Sequence, residues 1–239
     1  LTGIAENGCR SLIDVPVTVF PAPQFAISGD NQACRGANAT LTAIGSAITY
    51  RWGFGTDRCE DAESGNEASI SVPVIKSETQ VFVRAIDINN CTATKVVKIK
   101  ALEPPTLSYS GTTKVCAGEP INLTAQGASS YYWTMGGDTT RGLNFSFRPM
   151  ENKTIKLHGT LGECSSDINI YVQASPAPDL SITSKDEICR NEEVILTANG
   201  ALYFEWSTGE QTRSISKVLT NSMTYTVKGI GYNGCSAVV

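Results

Sequence analysis

Histidine occurs once in the 239 residues, at His158, and no two cysteines form a CxxC pair. The close ligand spacings of a structural zinc site are therefore missing. No run approaches the roughly 18 apolar residues that a membrane-spanning helix needs, so no membrane insertion is expected of this segment. Lys and Arg are interspersed among Asp and Glu, with a formal net charge of −4. Without clustered cations to offset phosphate charge, neither a nucleic-acid footprint nor a polybasic membrane patch is expected. Nucleophile elbows, phosphate loops and paired-histidine motifs are absent too, so no enzyme and no cofactor is expected. No long stretch carries the 3.6-residue periodicity of an amphipathic helix. The sequence opens without Met, a charged n-region or an apolar h-region, and it reads as a mature fragment or excised piece.

What is present in number is cysteine, with eight residues, alongside much Thr, Ser, Gly and Val. Eight cysteines outside any close pair point to an exported protein held by disulfides, located outside the cell. The fold expected from this composition is all-β.

A repeat underlies the cysteines. NQACRGANATLTAIGSAITYRWGFG, TKVCAGEPINLTAQGASSYYWTMGG and DEICRNEEVILTANGALYFEWSTGE align on Cys34, Cys116 and Cys189 and on Trp52, Trp133 and Trp206. Downstream, QVFVRAIDINNCTATKVVKIK, TIKLHGTLGECSSDINIYV and MTYTVKGIGYNGCSAVV align on Cys91, Cys164 and Cys235, and Cys9 in ENGCRSLIDVPVTV is a fourth copy. Cys9 to Cys91 and Cys34 to Cys116 are both 82 residues, while Cys91 to Cys164 and Cys116 to Cys189 are both 73. Two anchor series that drift in step mark true repeats. Prolines at 21–23, 103–105 and 175–178 punctuate them, since proline donates no ladder hydrogen bond and stiffens a connector. The expected organisation is residues 1–20 as the last strands of a preceding repeat, repeats over 21–102 and 103–174, and a third over 175–239 cut in its final strand.

Taking the third repeat as template, DLSIT, VILTA, ALYFEWS, SISKV, TYTVKGI and CSAVV read as strands A, B, C, E, F and G. Leu202, Phe204 and Trp206 share one face of strand C, and Tyr203 and Glu205 the other. A Trp on strand C and a Tyr near the start of strand F fit tandem immunoglobulin-like β-sandwich repeats. Trp52, Trp133, Trp206 and Tyr225 are expected as core anchors rather than ligand-stacking surfaces. A sandwich of about 73 residues buries a modest core, which makes cross-links valuable.

Two pairing schemes are open. In such a sandwich strands B and F run parallel, so the A–B and F–G turns lie at opposite ends. They are separated by roughly 20 Å of strand, whereas a disulfide needs Cα atoms about 5.5 Å apart. The favoured scheme therefore staples neighbouring repeats, joining Cys34 with Cys164 and Cys116 with Cys235, and leaves Cys9, Cys91 and Cys189 to partners outside this segment. The alternative closes each repeat on itself: Cys34 with Cys91, Cys116 with Cys164, Cys189 with Cys235. Cys59 belongs to neither series and is open to three readings: a free thiol, a bond to Cys34 or a bond to a partner chain.

Other candidates are weak. His158 lies in an alternating strand and reads as a half-exposed strand residue. Asp57, Glu60, Asp61 and Glu63 form an acidic group that is a calcium candidate, but their spacing matches no calcium loop and a solvated acidic turn fits better. Asn-X-Ser/Thr triplets occur at Asn38, Asn90, Asn122, Asn144 and Asn152.

VCAGEPINLTAQG, YYW, TYTV and NGCS resemble the tandem immunoglobulin-like repeats of very large surface adhesins of Bacteroidota. The third repeat, with EWSTGEQTRSIS, TYTVKG and NGC, is similar to repeats of SprB-type gliding-motility adhesins. RWGFGTD is similar to the W-x-FGDG segment of the related PKD domains, with Thr56 where that motif has Asp. The resemblance implies export by the type IX secretion system, an extended stalk at the cell surface and adhesion during gliding or colonisation. It also implies O-glycosylation at Asp-Ser/Thr motifs, for which Asp138-Thr139-Thr140 makes Thr139 a candidate. The expected function is a stalk and adhesion module whose partners are neighbouring repeats of the same chain and a surface or glycan ligand. The alternatives are a spacer or carbohydrate-binding region of a secreted polysaccharide-degrading enzyme, or a subunit of an extracellular filament.

Overall fold

Alternating burial along short strands is the feature from which the architecture follows. In the computed structural model, which describes residues 1–54 and 67–239, every regular element is a β-strand. The chain divides into two compact units, Leu1–Pro104 and Pro105–Val239.

The first unit opens with a hairpin of β1 (Thr2–Ile4) and β2 (Arg10–Leu12), whose residues are all exposed. Seven further strands follow: β3 (Phe25–Gly29), β4 (Gln32–Cys34), β5 (Asn38–Gly45), β6 (Thr49–Phe54), β7 (Ser69–Pro73), β8 (Glu78–Ile86) and β9 (Thr92–Leu102). They form sheets of order β3-β5-β7 and β4-β9-β8-β6. Ala39, Leu41 and Ala43 from one sheet meet Trp52, Val81, Val83 and Ala85 from the other. The two-residue side-chain period of a strand is what places each set on its inner face.

The second unit holds two sandwiches with separate cores. The first comprises β10 (Ser108–Ser110), β11 (Lys114–Cys116), β12 (Ile121–Gln126), β13 (Ser130–Met135), β14 (Asp138–Arg141), β15 (Asn144–Phe147), β16 (Lys153–Leu161) and β17 (Cys164–Ser175). Its sheets run β10-β12-β15 and β11-β17-β16-β13-β14. The last sandwich comprises β18 (Ser181–Thr183), β19 (Glu193–Asn199), β20 (Tyr203–Trp206), β21 (Ser214–Val218), β22 (Val227–Ile230) and β23 (Ser236–Val238), in sheets β18-β19-β21 and β20-β22-β23. All three repeats share the A-B-E and G-F-C strand order of an immunoglobulin-like sandwich.

Trp52, Trp133 and Trp206 fill the same place in the three cores, with no more than 2% of each exposed. Each indole N–H donates to a backbone carbonyl near the start of strand E: Glu67 O at 2.9 Å, Gly142 O at 2.9 Å and Thr212 O at 2.8 Å. Burial of the ring is thereby combined with satisfaction of its one polar group. Tyr225 is half-buried against the third core. A glycine in strand F recurs for a packing reason. A Cβ on Gly159 would meet Leu107 Cδ2 at 2.4 Å and Ala128 Cβ at 3.0 Å, and one on Gly229 would meet Leu180 Cδ2 at 2.4 Å and Ala201 Cβ at 2.8 Å. Gly159→Ala is expected to cost about 1–3 kcal/mol by overpacking, measured by chemical denaturation.

Two features differ from the sequence reading. The first and second repeats contain an additional short strand, β4 and β11, that pairs in parallel with the end of strand G: Cys34 opposes Leu102 and Cys116 opposes Ser175. In the third repeat, strand F is confined to Val227–Ile230, so Thr224, Tyr225 and Thr226 of TYTVKGI fall outside it. Strand G ends at Val238, and its last ladder bonds join Val239 to Val227.

Candidate functional site

Each repeat places a cysteine at the start of its A–B turn, and the turn is built identically three times. The carbonyls of Cys34, Cys116 and Cys189 accept from the N–H of Ala37, Glu119 and Glu192 at 2.9, 3.0 and 3.0 Å. The third turn residue is left-handed in all three, at Gly36 (φ 88), Gly118 (φ 85) and Asn191 (φ 66). Glycine and asparagine are the residues that tolerate this position of a type II turn. Their N–H groups donate at 2.8 Å to Val74 O, Pro149 O and Leu219 O, tying the turn to the connection after strand E. At Cys189 the turn is further capped by Glu192, whose Oε2 accepts from the Cys189 N–H at 2.9 Å. That bond, with Lys185 nearby, holds the Glu192 carboxyl below its ordinary pKa.

The second cysteine series sits on the F–G turn. In the third repeat the Gly231 N–H donates to Cys235 O at 2.8 Å and the Gly234 N–H to Gly231 O at 3.0 Å. Gly234 is left-handed (φ 79), and Asn233 Oδ1 accepts from the Cys235 N–H at 3.1 Å. Asn233 Nδ2 also donates to Pro176 O at 2.8 Å, so the Asn-Gly-Cys sequence docks the turn on the proline connector. The opening Asn7-Gly8-Cys9 forms the same turn: Ala5 N–H to Cys9 O at 2.9 Å, Gly8 N–H to Ala5 O at 2.8 Å, and Cys9 N–H to Asn7 Oδ1 at 3.2 Å. Residues 87–91 repeat it with Asn90 left-handed (φ 61) and Asp87 Oδ1 accepting from the Cys91 N–H at 2.8 Å. The second repeat uses a tighter turn, with Leu161 directly opposite Cys164.

One covalent bond joins an A–B turn to an F–G turn of the next repeat. Cys116 and Cys235 are disulfide-bonded, with Cα atoms 5.6 Å apart and a sequence separation of 119 residues. Cys235 Sγ lies 3.6 Å from Ser175 O, the residue opposite Cys116 in the parallel pair. The end of strand G therefore carries both partners to one place. Cys34 and Cys164 each take part in a disulfide, whereas Cys9, Cys91 and Cys189 are free thiols. These states exclude the within-repeat alternatives: Cys34 with Cys91, Cys116 with Cys164, and Cys189 with Cys235. The reason is geometric, because Cys116 sits beside the exit of strand G, where the following repeat's turn arrives. Sequence reasoning missed the short parallel strand and the docking role of Asn233. The signal for the latter was the recurrence of Asn-Gly-Cys at 7–9 and 233–235, together with a turn cysteine twelve residues before a proline, as from Cys9 to Pro21 and from Cys164 to Pro176.

The remaining candidates are not brought together. His158 Nδ1 lies 2.7 Å from Asp167 Oδ1, and Lys156 Nζ lies 2.7 Å from Asp167 Oδ2, on an exposed sheet face. The Lys156 hydrogen bond, with His158 adding, holds the Asp167 carboxyl below its ordinary pKa. Thr139 is exposed on β14, its hydroxyl 3.3 Å from that of Thr134. Cys59 and the calcium candidates Asp57, Glu60, Asp61 and Glu63 lie outside the described residues. Among the described residues no group of three His, Cys, Asp or Glu side chains is placed to hold a metal ion.

No family model matches the chain, and no curated protein matches it. Solved structures overlap it loosely. Domains A168–A170 of titin are 14% identical over 91% of this chain and 96% of theirs, with a TM-score of 0.30. A structure from a 1.5-MDa bacterial ice-binding adhesin is 10% identical over 91% of this chain and 96% of its own, with a TM-score of 0.33. The amphioxus IgVJ-C2 molecule is 16% identical over 59% of this chain and 99% of its own, with a TM-score of 0.29. The sandwich assignment rests on the sheet order, not on these overlaps.

Proposed function

We propose that the chain is a tension-bearing stalk and adhesion module of a repetitive cell-surface protein. The observation that supports this reading is the Cys116–Cys235 bond, which encloses 119 residues of sequence and with them the cores of two successive repeats. A disulfide placed there does little for one sandwich alone. It shortens the covalent path through two of them, which matters when a chain is pulled. Cys34 and Cys164 occupy the positions of Cys116 and Cys235 one repeat earlier, and the same reading joins them. Neighbouring repeats of the same chain are then the main partners, and no catalysis is assigned. Export by type IX secretion, a role in gliding or colonisation, a surface or glycan ligand and a glycan on Thr139 belong to the finer form of the proposal.

One experiment tests several parts. Peptide mapping of the non-reduced protein purified from its native source is expected to yield a Cys34–Cys164 linked peptide and a mass increment on the peptide carrying Thr139. A Cys34 peptide linked elsewhere removes the serial staple, and an unmodified Thr139 peptide removes the glycan.

A further inference from the structure

The third repeat departs from its neighbours at the end of the sandwich that carries the B–C and F–G turns, and equivalent backbone bonds identify the corresponding residues. The N–H groups of Ala198, Ala125 and Ala43 donate to the residue just before strand E, which is Arg213, Leu143 and Ala68. Leu202, Ser129 and Ile48 likewise donate to strand F, so the residues that follow them, Tyr203, Ser130 and Thr49, are equivalent. In the F–G turns, the bonds from Gly231 N–H to Cys235 O and from Asp87 N–H to Cys91 O align Tyr232 with Ile88. The tryptophans recur because the fold needs them. Tyr203, Arg213 and Tyr232 do not recur, and the same sandwich forms without them. Both tyrosines face solvent, Tyr203 with 65% and Tyr232 with 91% of its surface exposed.

These three side chains line one open groove of about 440 Å³, together with Asn199, Leu202 and Gln211. Its origin is local. In the second repeat nine residues separate the core tryptophan from the carbonyl its indole meets, and part of that connection forms β14 along the edge of strand C. In the third repeat the separation is six, no strand forms, and the edge of β20 stays open beside the groove. Arg213 is held there by donating from Nε to Ala198 O at 3.3 Å and from Nη2 to Asn199 Oδ1. Nη1 makes no such bond, no carboxylate pairs with the guanidinium, and no other charged side chain lines the groove.

We propose that this groove binds a carboxylated sugar, a uronic or sialic acid unit of a glycan, with its carboxylate on Arg213 and its ring against Tyr203 and Tyr232. A planar guanidinium fork matches a carboxylate bidentately. Tyrosine offers a flat apolar face for the C–H side of a sugar and a hydroxyl for its rim, and the Gln211 amide adds donors and an acceptor for sugar hydroxyls. The volume falls within the roughly 300–1,000 Å³ of small-ligand sites. Charge complementarity selects the acid, since the one lining charge is an arginine without a carboxylate of its own. A peptide strand suits the place less well. β20 has four residues and its Trp206 N–H is already taken by Glu210 O at 2.9 Å, which leaves little edge for a ladder. The proposal deepens the adhesion reading and rests on it, by giving the adhesive ligand a chemical class and a place.

The test titrates trigalacturonate and 3′-sialyllactose, the two sources of such a group, into isotopically labelled 239-residue chain, beside neutral galactotriose and lactose, and follows the amide resonances. Saturable shifts are expected at residues 199–203, 211–213 and 231–233 with at least one acidic sugar, at an affinity about tenfold above its neutral counterpart. Trigalacturonate binding identifies a uronic-acid polysaccharide as the source, and 3′-sialyllactose binding a sialylated surface. Tyr203→Ser with Tyr232→Ile installs the residues that Ser130 and Ile88 show the fold to accept, and is expected to weaken binding about tenfold or more with the core resonances unchanged. Arg213→Ala, matching Ala68, is expected to reduce the acidic sugar to the affinity of the neutral one. No binding by either acid, equal binding of acidic and neutral sugars, affinities unchanged in the variants, or shifts along β20 raised instead by an extended Thr-Val hexapeptide would overturn the proposal. None of these outcomes alters the stalk reading, which is decided by how far the same chain extends with and without reductant.

Discussion

Pulling the chain from its two ends is expected to release about 40 nm of additional contour length on reduction when Cys116–Cys235 is the disulfide in play. The bond spans 119 residues, each of which extends by about 3.5 Å when fully stretched. While the disulfide is intact those residues lie inside a covalent loop, so their cores can open without lengthening the chain between the two cysteines. Cys34→Ser isolates this case. In the unaltered protein the expected increment is larger if Cys34 is joined to Cys164. The shortest path from residue 34 to residue 235 then crosses both disulfides and the 48 residues from 116 to 164, in place of 201. The difference is 153 residues, or roughly 54 nm. Single-molecule force spectroscopy with and without reductant separates the outcomes: 40 nm in both proteins removes the second staple, and no increment in either removes the tension-bearing reading.

The Cys116–Cys235 cross-link was legible in the sequence because repetition made the cysteines mutually informative. Cys34, Cys116 and Cys189 drift in step with Cys9, Cys91 and Cys164, and the opposite-ends argument then separates neighbouring repeats from a single one. The three tryptophans were legible for a related reason, each lying on an alternating strand after a Leu-Thr or Ile-Leu-Thr strand. The short parallel strands were not legible. Lys114, Val115 and Cys116 make three residues, too few to show a period, and their partners Gln173, Ala174 and Ser175 lie far along the chain. The functional geometry at Asn233 was hidden for the same reason, since its acceptor on Pro176 is 57 residues distant.

Trp133→Ala is expected to remove about 3–5 kcal/mol from the second repeat, the usual cost of deleting a buried large aromatic side chain. The ring is fully buried and stacks on Phe145 with centroids 5.4 Å apart, between sheets that hold nine buried side chains in this core. Its removal also leaves Gly142 O without the indole donor at 2.9 Å, in a part-buried position where an unmade hydrogen bond carries its own penalty. Domains as small as these are stable by only about 5–15 kcal/mol, so the second sandwich should unfold well before its neighbours in denaturant. Trp133→Phe separates the two contributions. It keeps most of the apolar volume and loses the N–H, and a loss of about 1–2 kcal/mol is expected. In the Cys34→Ser background, resistance to extension should nevertheless persist in Trp133→Ala under non-reducing conditions. Cys116 and Cys235 bracket the whole of the weakened core, so the covalent path bypasses it. An alanine variant that kept wild-type stability would place the indole outside the core and return Trp133 to the candidates for ligand stacking.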